Sequence, residues 1–143
     1  MKLNKLQREA LRGMFDGRCA YCGSTLGERW HADHVERVMK WAETNGRRRL
    51  VCTGEVHPPA RDTVENLMPA CAPCNIDKHA MTLEDWRGKL QRSAEVLARN
   101  QPTYRHAVRF GLVQETGAAV VFYFESIAKA EAGAAIPSGE ATS

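Results

Sequence analysis

Four of the five cysteines in the 143-residue chain form two C-x-x-C pairs, Cys19/Cys22 and Cys71/Cys74. Thiolates in pairs at this spacing are typical ligands of a structural zinc ion, which takes four protein ligands and keeps no open position for catalysis. Gly23 follows the first pair and favours a tight turn there. In a reducing cytoplasm, paired cysteines usually indicate a metal and not a disulfide. The sequence therefore predicts a four-cysteine zinc site built from two knuckles.

The long segment between the two pairs begins and ends with a second group of polar residues. Asp33 and His34 are adjacent, Asn66 comes shortly before the second pair, and the run Cys74-Asn75-Ile76-Asp77-Lys78 contains its last cysteine. This order, set between cysteine pairs, resembles the HNH (ββα-metal) endonuclease family over about residues 15–87, and in particular its small stand-alone bacteriophage members. The resemblance implies an α+β fold in which a β-hairpin and a helix surround a metal ion, with the four-cysteine zinc site beside them.

The chemistry of these side chains suits hydrolysis of a phosphodiester bond. The Asp33 carboxylate and the Asn75 amide oxygen are hard ligands for a catalytic Mg²⁺ or Mn²⁺, which would stabilise the leaving 3′ oxygen. A neutral imidazole accepts a proton from water near neutral pH, so His34 is the expected general base. The resemblance implies products with 3′-hydroxyl and 5′-phosphate ends. It also implies that the Asn66 side chain holds the hairpin loop so that His34 is correctly oriented.

Two further residues near the second cysteine pair each have two interpretations. Lys78 lies one helical turn beyond Asn75, where it would either contact the scissile phosphate or be a solvated surface lysine. His79 occupies the position at which some family members carry another metal-binding histidine. It is therefore either a third ligand of the catalytic metal or a polar residue at a helix end, and as a ligand it would favour softer divalent metals.

A basic run, Arg47-Arg48-Arg49, is the candidate DNA-binding segment, because arginine matches the geometry of phosphate. The alternative is a solvated basic loop. The net charge of +3 is compatible with a polyanionic partner but does not identify one. Five other residues are interpreted as structural and not functional: Cys52, His57, Trp30, Trp41 and Trp86.

Short elements must position these residues. Apolar residues at helical spacing predict an N-terminal helix that ends near Gly17. Residues 29–35 are expected to be extended, and residues 35–65 to form a helix followed by an irregular basic insertion. A short strand at residues 66–68 should lead into a helix from about Pro73, since proline suits the first turn of a helix.

The C-terminal part of the chain is predicted to be mainly helical. Thr82 and Asp85 form a capping-box pattern that begins a helix over residues 83–99. A second helix over residues 102–113 completes a helical extension, and the apolar residues 120–124 indicate a short strand. The Ala-, Gly- and Ser-rich residues 126–143 are predicted to be a disordered tail.

Composition places the chain among ordinary globular proteins, with 43% hydrophobic and 26% charged residues. We expect one nuclease domain over residues 1–125, with the helical extension at residues 83–113. No run of 18 consecutive apolar residues indicates a membrane span, and the first residues do not resemble a secretory signal. The expected location is the cytoplasm, which would be that of a bacterial host if the protein is phage-encoded. The expected assembly is either a monomer or a homodimer.

Three functions fit the sequence. The first is a metal-dependent DNA endonuclease, favoured because a pure binding module has no need of Asp33, His34 and Asn75 in this order. The second is a zinc-stapled nucleic-acid-binding module without catalysis. The third is an RNA-cleaving nuclease, over which DNA cleavage is preferred on the resemblance alone.

Overall fold

The computed structural model describes residues 2–35, 40–44, 46–51 and 63–134, and it describes side chains throughout these ranges except at residues 40–44, 47–51 and 134. The described part of the chain is α+β, with short antiparallel strands and helices. Contacts between Cα atoms divide the chain into two compact units, Met1–Ala80 with Val121–Ser143, and Met81–Val120. No helix among the described residues is both long and apolar enough to cross a membrane.

The first unit contains the four strands found among the described residues and the four paired cysteines. Its elements are, in chain order, α1 (Lys5–Gly13), β1 (Trp30–His34), β2 (Lys40–Thr44), β3 (Arg47–Val51), β4 (Leu67–Cys71), α2 (Ala72–Lys78) and α6 (Tyr123–Ala134). A 3₁₀ turn, Val64–Asn66, precedes β4.

β1 and β4 form a two-stranded antiparallel sheet in which Trp30 pairs with Cys71 and His34 pairs with Leu67. α2 follows β4 without a connecting loop and contacts both strands. Cys71 is the N-cap of α2 and Pro73 lies in its first turn, where a missing backbone N–H costs nothing. The pairing and this direct connection place the helix of the second cysteine pair against the strand that carries Asp33.

Helix α1 begins at a capping box, because the Asn4 side chain accepts from the Gln7 backbone at 2.8 Å and the Gln7 side chain accepts from the Asn4 backbone at 3.0 Å. It ends at Gly13, earlier than the predicted end near Gly17. The reason is a turn in which Asp16 and Gly17 have φ values of 53° and 75°, in the left-handed region that ends helices.

The prediction of a helix and an irregular insertion over residues 35–65 is wrong at residues 40–44 and 46–51, where the chain forms the β2–β3 hairpin. Lys40 pairs with Val51, and Thr44 pairs with Arg47. The sequence Asn45-Gly46 is a strong hairpin signal, and Gly46 has a φ of 71°. The spacing of apolar residues indicated a helix, but the two-residue turn signal in the sequence determines the secondary structure of this segment. Residues 36–39 and 52–62 lie outside the described residues.

The predicted strand over residues 120–124 is also wrong, because α6 begins at Tyr123. The backbone amides of Tyr123 and Phe124 donate to the carbonyls of Tyr21 and Ala20 at 2.9 and 2.8 Å, which satisfies the free donors of a helix start. α6 continues to Ala134, so residues that we expected in a disordered tail are helical. Residues 135–143 lie outside the described residues.

The second unit is helical. Thr82 Oγ1 accepts from the Asp85 backbone at 3.1 Å, as its capping pattern predicts. In place of one helix over residues 83–99, the unit has α3 (Leu83–Gln91) and α4 (Ser93–Asn100), separated at Arg92. The third helix, α5 (Pro102–Arg109), ends before Gly111. A break of one residue hardly disturbs the apolar periodicity, so the sequence could not reveal it.

Residues 110–120 begin with a turn and then run beside these helices without regular secondary structure. The Gln91 side chain donates to the Ala118 carbonyl at 2.9 Å and accepts from the Val120 backbone at 2.8 Å. Tyr104 donates to Glu115 at 2.6 Å. Side chains of the helices therefore hold a segment that has no strand partner among the described residues.

Candidate functional site

The four paired cysteines converge on one point. The sulfur atoms of Cys19, Cys22, Cys71 and Cys74 all lie within 4.8 Å of one another. A tetrahedral zinc ion with Zn–S bonds of about 2.3 Å separates its ligands by about 3.8 Å, and Cys22 Sγ lies 3.8 Å from Cys71 Sγ. The cluster could therefore hold a metal ion, and four thiolates at this spacing fit zinc.

The first knuckle is a tight turn fixed by its own backbone. The Cys19 amide donates to the Ser24 carbonyl at 2.8 Å, and the Gly23 amide donates to the Cys19 carbonyl at 3.0 Å. Ser24 Oγ lies 2.9 Å from Cys22 Sγ, where its hydroxyl can donate to the thiolate that a metal requires. These bonds orient the first two sulfurs.

Gly23 is required in this turn for two reasons. Its φ is 74°, and a Cβ atom there would lie 2.9 Å from Cδ2 of Tyr123 at the start of α6. We expect Gly23→Ala to lower the unfolding free energy by about 1–2 kcal/mol from the left-handed backbone alone, with the contact to Tyr123 adding to this. Thermal unfolding with zinc present measures the effect.

Gly27→Ala is the matched control, because a Cβ at Gly27 meets no atom within 4 Å and its backbone is not left-handed. Its melting temperature should stay near that of the native protein. Equal melting temperatures for the two variants would contradict this account of the knuckle.

The second knuckle joins β4 to α2. Cys71 ends the strand and Cys74 lies in the first turn of the helix. The Ala20 amide of the first knuckle donates to the Pro69 carbonyl at 2.8 Å, a backbone bond that ties the two knuckles together. The fold therefore brings together two cysteine pairs that are far apart in the sequence.

Close thiols do not ionise independently. A hydrogen bond from Cys74 lowers the pKa of Cys19 to about 4, against the opposing effect of burial. The same bond and burial raise the pKa of Cys74, and burial raises the pKa of Cys71. Cys19 therefore takes negative charge more readily than Cys71 and Cys74, whose raised pKa values favour their protonated forms. Binding of zinc must release those protons.

A buried ion pair lies next to the four-cysteine cluster. Asp33 and Lys78 are only 7% and 1% exposed, and Lys78 Nζ lies 2.9 Å from Asp33 Oδ2. The Tyr21 hydroxyl donates to the same oxygen at 2.5 Å. Burial, and then the adjacent carboxylate, raise the pKa of Tyr21 above its usual value, so Tyr21 remains a donor.

Lys78 also connects the two parts of the sequence motif. Besides pairing with Asp33, its Nζ donates to the backbone carbonyl of His34 at 2.9 Å, across 44 positions in the chain. The interpretation of Lys78 as a solvated surface lysine is therefore wrong, because both its charge and its donors are used inside the protein. Its contact with a scissile phosphate stays a prediction.

The remaining motif residues lie on β1, in or at the end of α2, and in the turn before β4. His34 is half-buried at the end of β1, and Asn75 is half-buried in α2. Asn66 lies in the 3₁₀ turn before β4, where its carbonyl accepts from the Val35 amide at 2.9 Å. His79 is exposed at the C-terminal end of α2 with a φ of 48°. Whether His79 binds a metal stays a prediction.

For the other residues named from the sequence, the structure describes the backbone, the side chain or neither. The run Arg47-Arg48-Arg49 lies in β3 and not in a loop, but its side chains are outside the described set. Cys52, His57 and the Trp41 side chain are also outside it. Trp30 and Trp86 are buried, 6% and 2% exposed, which fits the packing role predicted for them.

Tyr21 is the residue that sequence reasoning missed. It stands between the two cysteines of the first pair, and its ring packs edge-on against Phe122 and Phe124 with centroids 5.7 and 6.4 Å away. An aromatic residue inside a C-x-x-C pair gives no hint of a carboxylate partner on a later strand. Only the folded chain reveals that contact.

Comparison with known proteins adds no relative. No family model, no curated protein and no solved structure matches this chain.

Proposed function

We propose that the chain is a metal-dependent endonuclease of the HNH type that hydrolyses DNA phosphodiester bonds and leaves 3′-hydroxyl and 5′-phosphate ends. The observation that carries the proposal is the double contact of Lys78 with Asp33 and with the His34 carbonyl. These contacts bring together residues that are far apart in sequence, on a strand–strand–helix unit beside a four-cysteine cluster. The order of these residues along the chain resembles that in HNH enzymes.

The donor set suits a divalent cation of the Mg²⁺ or Mn²⁺ class. Lys78 and Tyr21 both contact Oδ2 of Asp33, and within the described part of the chain no hydrogen bond reaches its Oδ1. That oxygen and the amide oxygen of Asn75 are hard ligands. When bound, the cation would supply electrostatic stabilisation of the leaving oxygen and of the charge on phosphorus.

His34 is the proposed general base. Its backbone is held on one side by pairing with Leu67 and on the other by the bond from Lys78. The ring, at the half-buried end of β1, would take a proton from the attacking water. Asn66, in the turn that bonds to Val35 just after this strand, is proposed to orient His34.

A second candidate function has an observation of its own. The burial of Asp33 and its ion pair with Lys78 would also suit a purely structural role, as in a zinc-stapled module that binds nucleic acid without cutting it. An RNA-cleaving nuclease would use the same residues. The experiment below separates these possibilities.

The test is cleavage of supercoiled plasmid by zinc-loaded protein with Mg²⁺ or Mn²⁺. We expect His34→Ala to reduce the rate by about 10²–10⁴-fold, as for loss of a general base. His106→Ala, an exposed histidine in the second unit, is the matched control and should cut at the native rate.

Native cleavage by His34→Ala would refute the role of His34. If neither protein cuts DNA but native protein cuts RNA, the substrate is RNA. If the native protein cuts neither nucleic acid but binds one, the binding module is correct.

A further inference from the structure

Helix α1 carries a basic face that the proposed active site does not use. Lys5, Arg8 and Arg12 recur at a spacing that puts them on one side of the helix. Together with Glu9 and the edge of Trp30 they line an open cavity of about 310 Å³. Three cations thus face one carboxylate in a concave surface large enough for a phosphate and its sugar.

Two of these cations are held in place by the fold. The Arg8 guanidinium lies over the Trp30 ring, 4.1 Å from its centroid, and donates to the Trp30 carbonyl at 3.1 Å. Arg12 donates to the Leu26 and Gly27 carbonyls at 3.0 and 3.3 Å. Each guanidinium has five N–H donors, so both retain donors for a ligand. Because their side chains are already ordered, binding an anion costs less conformational entropy.

Within the described part of the chain, no salt bridge neutralises the three cations of this face. The salt bridges found between described residues are Lys78–Asp33 and Arg87–Glu84, and neither involves Lys5, Arg8 or Arg12. Arginines that are preorganised but form no ion pair are typical of surfaces that bind the phosphates of nucleic acids.

The basic face of α1 and the proposed general base lie at opposite ends of strand β1. Trp30 begins β1, and His34 ends it. Four residues of extended strand span about 13 Å, which corresponds to about four base-pair steps along duplex DNA. A duplex bound at His34 is therefore long enough to reach the α1 face.

We propose that Lys5, Arg8 and Arg12 form a binding surface for the sugar-phosphate backbone of duplex DNA, on one side of the cleavage position. This inference rests on the proposed function and deepens it. The surface adds affinity and sets the orientation of the duplex, but it reads no bases, because contacts to phosphate carry no sequence information.

The test is a binding measurement that does not depend on cleavage. Zinc-loaded protein is titrated against a fluorescein-labelled 16-base-pair duplex at several salt concentrations. Mg²⁺ is omitted, and no chelator is added because it would remove zinc. The variants are Lys5→Gln, Arg8→Gln and their combination. Lys129→Gln, an exposed lysine of α6, is the matched loss of charge on another surface.

Each lost phosphate contact should reduce the slope of log K against log salt by about 0.9. The slope of the double variant should therefore be about 1.8 smaller in magnitude than the native slope. Between 50 and 200 mM salt, the affinity of the native protein should then fall by a factor about twelve times larger than that of the double variant. The Lys129→Gln slope should equal the native one. Thermal unfolding checks that Arg8→Gln remains folded, and Lys5→Gln removes no hydrogen bond between described residues.

A native slope and affinity in the folded double variant would overturn the proposal. An equal reduction in Lys129→Gln would also overturn it, because net charge alone would then explain the binding. If the native protein cleaves DNA but the salt slopes of the variants equal the native slope, the surface is refuted and the enzyme is not. If the variant slopes are reduced but the native protein does not cleave, the enzyme is refuted and the surface is not.

Discussion

Cys74→Ser protein is expected to contain no zinc and to have an unfolded first unit. Structural zinc contributes about 10–16 kcal/mol in small zinc domains, as much as the whole stability of a typical domain. The cluster also ties β4, α2 and the first knuckle together, so its loss removes the connection between elements distant in sequence. Serine is a weaker metal ligand than cysteine, and three thiolates do not complete the tetrahedron.

Zinc content per chain and amide hydrogen exchange of β1 and β4 measure this effect. Hydrogen exchange is the sharper readout, because the helices of the second unit can retain far-ultraviolet signal. Cys52→Ser is the matched control, since it makes the same chemical change at the one cysteine outside the C-x-x-C pairs, and it should retain one zinc. Native exchange rates in zinc-free Cys74→Ser would contradict a structural role for the metal.

Lys78→Met is expected to destabilise the protein strongly although it retains the size of the side chain. Removing one partner of a buried ion pair leaves an uncompensated charge and costs about 3–5 kcal/mol. The charge left behind is the Asp33 carboxylate, 7% exposed, with the Tyr21 hydroxyl as its remaining partner. Urea unfolding of zinc-loaded protein measures the loss.

Two further variants isolate the cause. Lys129→Met, on the exposed face of α6, should change stability by no more than about 0.5 kcal/mol. Replacing both partners, as in Asp33→Asn with Lys78→Met, should recover part of the loss, because no charge is then buried alone. If Lys78→Met is as stable as Lys129→Met, the ion pair is not a determinant of this fold.

The convergence of the four cysteines could be predicted from the sequence because ligand spacing is a local property. A C-x-x-C pair requires a turn within a few residues, and Gly23 and Pro73 indicate such turns on their own. The strand before α2 and the cap at Thr82 were predictable for the same reason, since backbone chemistry over three or four residues decides them.

The elements that were missed depend on contacts between distant residues. Val120 to Phe124 have the composition of a strand, yet the amides of Tyr123 and Phe124 find acceptors in the first knuckle and a helix begins instead. Strand propensity reflects a packing environment that the sequence does not specify. The Tyr21–Asp33 bond and the burial of Lys78 are likewise set by how β1, β4 and α2 pack, which no spacing rule contains.

The measurement that most directly tests the central claim examines the ends of the cleaved DNA. Zinc-loaded native protein with Mg²⁺ should nick supercoiled plasmid, DNA ligase should reseal the nicks because they carry 3′-hydroxyl and 5′-phosphate ends, and His34→Ala should produce none. Nicks that ligase cannot seal, or nicking by His34→Ala at the native rate, would contradict hydrolysis by this site.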